Sequence, residues 1–261
     1  MRIAVCDWMI LKRQKLGAFG LAQELGADGV EVDMGPLGDR PTFENALAQP
    51  EVRERFLAEA KARKLEICSL AMSGFYAQSF AERPGVVEKM VPDCLATMTA
   101  LGVKVAFLPL GKPCDLVAHP ELRPLVVERL RMVGKLAEKA GVVVGIETEL
   151  DATGEKKLLD ELGSRAIQSY FNFSNPLKKG RDLHQELRLL GRERICQIHA
   201  TDDDGYLLSE NPRLDMRAVK ETLAEMRWDG WLVVERSRSA RDPRNVKANF
   251  GANVKYLKGI F

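Results

Sequence analysis

Residues 141–147 read GVVVGIE: a glycine, an apolar run of strand length, and a carboxylate that closes it. A helical pattern near 121–139 precedes the glycine, and a polar loop leads from the carboxylate into another near 155–162. Glycine at that place suits a left-handed helix C-cap, because without a Cβ it reaches positive φ freely. In both directions from this stretch the same unit, apolar run then polar loop then longer helical pattern, recurs about eight times. Strands are predicted at 3–7, 29–33, 66–71, 104–108, 142–147, 169–173, 195–200 and 231–235. Helices are predicted near 16–25, 51–64, 86–101, 121–139, 155–162, 182–190, 215–226 and 244–258. Gly26, Gly102, Gly163 and Gly191 repeat the placement of Gly141. Asp242 followed by Pro243 predicts the start of the last helix, a cap acceptor ahead of a residue whose missing N–H costs nothing there.

Strict alternation requires right-handed crossovers onto a parallel sheet, and strands covered on both faces read as short, nearly continuous apolar runs. Eight such units in 261 residues predict an α/β fold, a single (β/α)8 TIM barrel with parallel strands. An open doubly wound sheet is the competitor, but the first turn carries no GxGxxG. No linker or composition shift divides the chain, so residues 1–261 are expected to form one domain.

Hydrophobic residues at 46% and charged residues at 29% supply a large core and exclude a disordered chain. Thirty-nine Lys and Arg against 37 Asp and Glu, with no run of five like charges, leave no phosphate-tracking stripe, so no nucleic-acid partner is expected. No apolar stretch approaches the roughly 18 residues that cross a bilayer, so no membrane partner is expected. The opening MRIAVCDW enters a strand without the apolar core of a signal peptide, which predicts a cytoplasmic location. The five cysteines are odd in number and lack CxxC spacing, which predicts reduced buried thiols rather than disulfides or a thiolate zinc site.

In such barrels chemistry gathers where the strands end. The fifth to eighth runs close on Glu147, Asn172, His199 and Glu235. Alternation lets Gly145 and Glu147, Tyr170 and Asn172, Gln197 and His199, and Val233 and Glu235 share the inward face. Two carboxylates, an amide oxygen and an imidazole on neighbouring strands suit one divalent cation with positions left for water or substrate oxygens. The plainer alternative is a strand-end carboxylate paired with a nearby cation such as Arg236. His119 and His184 are expected at the surface.

With these residues in place, the chain resembles the sugar phosphate isomerase/epimerase superfamily, the xylose-isomerase-like barrels that include ketose 3-epimerases, hydroxypyruvate isomerase and inosose dehydratase. The resemblance runs through the whole chain and is carried by LGADGVEVD, GIETE, YFNFSNPLKKGRD, QIHATDDDG and WDGWLVVE. It implies one metal ion, Mn, Mg, Co or Zn, held by Glu147, Asn172, His199 and Glu235. Asn172 stands where the family has aspartate, which removes a negative charge and implies a weakened or absent ion. The seventh-strand pattern HxKD reads His199, Ala200, Thr201, Asp202, without the lysine.

The resemblance further implies substrate-binding roles for Asn175 and for Glu31 with Asp33 beside it, while Trp8, just past the first strand, is a candidate either for an apolar wall against a sugar ring or for packing. The implied reaction is isomerisation or epimerisation of a small ketose or sugar phosphate through a metal-stabilised enediolate, with Glu147 and Glu235 as acid and base. A dehydratase or lyase on the same site, and a carbohydrate-binding barrel that has lost turnover, are the alternatives. Arg236, Ser237, Arg238 and Ser239 are candidates to hold a substrate phosphate or form a solvated charge cluster. Relatives also suggest a homodimer or homotetramer. The related DNA-repair endonucleases need many histidines for three zinc ions, and this chain has three.

Overall fold

The apolar runs pair edge to edge in chain order and close on themselves in the computed structural model, which describes residues 1–261. The strands are β1 (Arg2–Cys6), β2 (Gly29–Asp33), β3 (Glu66–Ala71), β4 (Val105–Pro109), β5 (Val143–Glu147), β6 (Ile167–Asn172), β7 (Ile195–His199) and β8 (Trp231–Val234). All neighbours are parallel, and β1 meets both β2 and β8, with Ala4 opposite Gly29 on one side and Val233 on the other. This is the expected (β/α)8 barrel. Two irregularities in register carry consequences for the site: one between Val30 and Glu31 sets Glu31 beside Ser69, and one between Ser169 and Tyr170 sets Tyr170 beside Gln197.

Ten helices follow: α1 (Asp7–Ile10), α2 (Gly17–Glu24), α3 (Pro50–Ala62), α4 (Val91–Leu101), α5 (Arg123–Ala140), α6 (Ala152–Leu162), α7 (Ser174–Lys178), α8 (Leu183–Leu190), α9 (Met216–Glu225) and α10 (Val246–Ile260). The short α1 and α7 were not expected, and each starts close behind a strand end, that of β1 and that of β6. The helical pattern over 86–101 divides into a π-helical turn, Val86–Met90, and α4. Pro92 explains the division, because it has no N–H to continue the α-helical ladder into the preceding turn. Gly141 caps α5 in the left-handed region as expected, at φ 66° and ψ 38°. Gly191 also takes a positive φ, 72°, but its ψ of 161° sends the chain into a turn at Arg192–Arg194 before β7.

The predicted start of the last helix requires correction. Asn245, not Asp242, caps α10, accepting from the Ala248 N–H at 3.1 Å. The Asp242 side chain is taken by Asn245 Nδ2 at 3.1 Å, which leaves Asp242 and Pro243 in the turn ahead of the helix.

The main core lies between the outer faces of the strands and the helix ring. On α5 the buried Val126, Val127, Leu130, Val133, Gly134 and Ala137 recur at three- and four-residue spacing, the apolar stripe of a helix packed on one side. Inside the barrel, Ala4, Cys6, Cys68, Trp231 and Val233 form one apolar layer, and Ala71, Phe107 and Tyr170 form another. All five cysteines are free. No helix is long and apolar enough to cross a membrane.

Gly145 is an inward strand position that its neighbours fill: a Cβ there would lie 2.5 Å from Cys196 Sγ and 2.9 Å from Tyr170 Cβ. Overfilling a packed interior costs about 1–3 kcal/mol. Gly145→Ala is therefore expected to lower unfolding free energy by roughly that amount in urea denaturation. An unchanged midpoint would show that the interior can absorb the methyl group.

Candidate active site

The local fold at the end of β6 sets the geometry of the barrel mouth. Ser174, the first residue of α7, donates its backbone N–H to Asn172 Oδ1 at 3.0 Å and its hydroxyl at 2.9 Å. A backbone N–H can only donate, so this contact fixes which end of the Asn172 amide is oxygen. Its Nδ2 therefore faces the barrel axis and donates to Glu147 Oε2 at 3.1 Å and Glu235 Oε2 at 3.3 Å. Glu147 ends β5, and Glu235 is the first residue beyond β8. The Tyr76 hydroxyl, from the turn Ser73–Tyr76 after β3, lies 3.1 Å from Glu235 Oε1 and 3.3 Å from Glu147 Oε2.

His199 ends β7 beneath this group. Its Nδ1 lies 3.4 Å from Glu147 Oε2 and 3.6 Å from Glu235 Oε2, aligned on neither, and makes no hydrogen bond. Its Nε2 is 2.9 Å from Glu31 Oε1. Glu31 is fully buried and also accepts from Ser69 Oγ and Tyr170 OH, both at 2.6 Å. Gln197 Nε2 donates in turn to Tyr170 OH at 2.7 Å and Ser69 Oγ at 2.8 Å. The register irregularities of β2 and β6 bring these pairs together.

Electrostatics follow from this packing. Burial opposes a charge on His199, but Glu235 and Glu31 outweigh it and push the imidazole up to about 10. Burial alone would raise Glu31, yet His199, Ser69 and Tyr170 bring it below the usual carboxylate range. Glu235 goes the other way: burial and the Glu147 charge raise it, against His199 and Arg236. Burial and the two carboxylates hold the Tyr76 hydroxyl in its neutral form.

Two groups of metal-ligand type are thus adjacent, and they differ in kind. Cys6, Glu31 and His199 Nε2 lie close together, but burial and Glu31 keep the Cys6 thiol protonated, and Nε2 is already engaged by Glu31. A neutral thiol is a poor ligand, so this trio backs the site rather than holding an ion. Glu147 Oε2, Glu235 Oε2 and the unpartnered Nδ1 of His199 have the donor types that an ion requires. Asn172 does not complete them: contrary to expectation its oxygen is turned away onto Ser174, and an N–H₂ group faces the carboxylates. Glu147, Glu235 and His199 are the residues that would hold an ion at the mouth, with solvent or substrate oxygens completing it.

A cavity of about 420 Å³ opens above this group, lined by Tyr76, Lys112, Glu147, Asn172, Asn175 and Arg236 among others. Asn175 is among the residues that line this cavity. Glu31 is not, because it lies below the site with both oxygens occupied. Asp33 is likewise buried, held by Arg13 at 3.0 Å and the Gly35 N–H at 2.8 Å. Trp8, on α1, packs on both interior layers and lines a neighbouring groove with Gln14 and Asn45 instead of this cavity. Of the four residues after β8, only Arg236 lines it. Ser237 Oγ is engaged by the Asp202 backbone at 3.0 and 3.2 Å, and Arg238 is held by Asp204. His119 is exposed beside Glu121, and His184 on α8 meets Thr222 at 2.8 Å, both away from the mouth. Tyr76 was missed by sequence reasoning; its one signal is a polar aromatic five residues past the end of an apolar run.

The sequence model of the family described as xylose isomerase-like TIM barrel matches residues 19–259. A 2-epi-5-epi-valiolone 7-phosphate 2-epimerase from Actinoplanes sp. is 26% identical over 204 residues, covering 77% of this chain and 72% of that protein. Among solved structures, the apo form of 3-keto-D-glucoside 4-epimerase from E. coli superposes with a TM-score of 0.78 at 18% identity, covering 99% of each chain. D-psicose 3-epimerase with D-tagatose, from Clostridium cellulolyticum H10, gives 0.76 at 14% identity over 100% of this chain and 99% of that one. The probable 3-DHS dehydratase of Bacillus anthracis gives 0.72 at 17% identity, again over 99% of each. These structures share the fold.

Because Asn172 presents N–H groups, Asn172→Asp should add an anionic oxygen to the site and raise Mn²⁺ affinity by about tenfold or more, read by calorimetric titration. Equal affinity in the two proteins would show that the residue at 172 does not govern ion binding.

Proposed function

The chain belongs to the xylose isomerase-like TIM barrel family, and within it we propose an isomerase or epimerase that moves a proton on the carbon beside the carbonyl of a small ketose or sugar phosphate. The observation that carries this reading is the pair Glu147 and Glu235, two buried carboxylates bridged by the Asn172 amide, with Glu147 and Asn172 lining a sugar-sized cavity. The epimerase relative and the epimerases among the structural neighbours support it.

Proton transfer beside a carbonyl needs a base, an acid and stabilisation of the negative charge on the enediolate. Glu147 serves as base on one face of the carbon. Glu235, whose proton affinity is raised by burial and by Glu147, serves as acid on the other. The roles exchange in the reverse direction. Tyr76 stays a neutral hydroxyl between the two carboxylates and steadies whichever is charged. Asn172 donates to both and offsets the repulsion between them. Arg236 and Lys112 on the rim supply positive charge for an anionic substituent. A divalent ion, when bound, supplies Lewis acidity at the carbonyl, and Glu147, Glu235 and His199 Nδ1 are the groups that would hold it. Dehydration shares the first half of this chemistry, and the raised acidity range of Glu235 suits it to release a β-hydroxyl as water.

Incubation with D-allulose or D-tagatose in D₂O, followed by NMR, tests the proposal. Exchange at the carbon beside the carbonyl is expected in the wild type, and Glu235→Gln should slow it about 10²–10⁴-fold. Full turnover by both Glu147→Gln and Glu235→Gln would remove the proposal. Products lacking one water would assign the lyase, whereas sugar binding without exchange would make the barrel a carbohydrate binder.

A further inference from the structure

Thr148, Asn172 and Asn175 line both the mouth cavity and a second, small space of about 10 Å³ between the barrel and its helices. That volume is close to the room one water molecule needs. Three polar atoms of its lining residues are buried with no partner at all, Thr148 Oγ1, Asn175 Oδ1 and Glu155 Oε1, and a fourth, Arg181 Nε, has only its ion pair with Glu186. The three residues are 6%, 5% and 5% exposed, so bulk water does not serve them. Buried polar atoms are nearly always satisfied, and an internal water typically takes two to four such partners.

One water can meet these three atoms. Its two hydrogens go to Asn175 Oδ1 and Glu155 Oε1, and its oxygen accepts from the Thr148 hydroxyl. The charge balance excludes a cation as occupant. Arg181 and Glu186, which complete the charged lining, neutralise each other at 2.7 Å. Burial raises Glu155 to about 8, with Glu186 and Glu147 adding to the rise against Ser169 and Arg181, so its carboxyl is neutral at pH 7.

We propose that this chamber binds one ordered water bridging Thr148, Glu155 and Asn175, and that Glu155 is a positioning residue that holds the Asn175 amide in the orientation it presents to the mouth. With Oδ1 held from behind and one N–H donated to the Thr148 carbonyl at 3.1 Å, Asn175 has a single N–H left for a substrate oxygen. The second half of the proposal rests on the reading of the mouth as a ketose site; the water does not.

Crystal structures of the wild type, Glu155→Gln and Glu155→Leu test the first half without turnover. Density for a water with three contacts is expected in the wild type and Glu155→Gln, and its loss in Glu155→Leu. A dry chamber in the wild type overturns the proposal. For the second half, D-allulose turnover is compared in the same proteins and in an Asn175→Ala background. Glu155→Leu should lower kcat/KM up to about tenfold, mainly through KM, the weight of one misplaced hydrogen bond, and Glu155→Gln should restore it. In the Asn175→Ala background Glu155→Leu should cost nothing further. An equal loss in both backgrounds would mean that Glu155 acts on stability alone and overturns the positioning role. Should Glu155→Leu fail to fold, Thr148→Val removes a contact to the same water and replaces it. If no form turns over ketose, the ketose reading fails, while the density still decides the water.

Discussion

Three carboxylates, Glu31, Glu147 and Glu235, surround one fully buried imidazole, and together they favour its protonated form against the burial that opposes it. Removing one partner of a buried ion pair typically costs about 3–5 kcal/mol, since the group left behind stays charged and unsolvated. His199 thus ties two levels of the barrel together. Below, it satisfies Glu31 within a network of Ser69, Tyr170 and Gln197; above, it faces the two acids at the mouth. The polar interior is no accident of packing, for each member of the network spends its donors or acceptors on another.

The same charge balance explains why the amide at position 172 is compatible with the fold. An aspartate there would bring a fourth anion to the group formed by Glu147, Glu235 and Glu31. The amide instead supplies two hydrogens to two carboxylates and gives its oxygen to α7. Two ways of steadying a pair of acids, by a cation or by an N–H₂ group, therefore meet at one position of the floor.

Much of this was legible in the residues. Apolar runs bounded by glycines located all eight strands to within two residues, because strands covered on both faces leave a dense apolar signature. The convergence of Glu147, His199 and Glu235 followed from alternation alone. What escaped reading depends on contacts between distant segments. The register irregularities that bury Glu31 leave no mark in local sequence, so a residue expected to touch substrate sits beneath the site. The direction of the Asn172 amide is decided by a helix of five residues too short to show periodicity. Tyr76 arrives from a loop, where no period constrains side-chain direction. Trp8 was placed beside the right strand, but α1 turns it toward the adjacent groove.

The ring of strands is completed by β1 and β8, which stand at opposite ends of the chain. During synthesis one flank of β1 must stay unpaired until residues 231–234 have left the ribosome. An open strand edge is a template for unwanted association. Only when the last stave arrives does the ring lose both of its free borders.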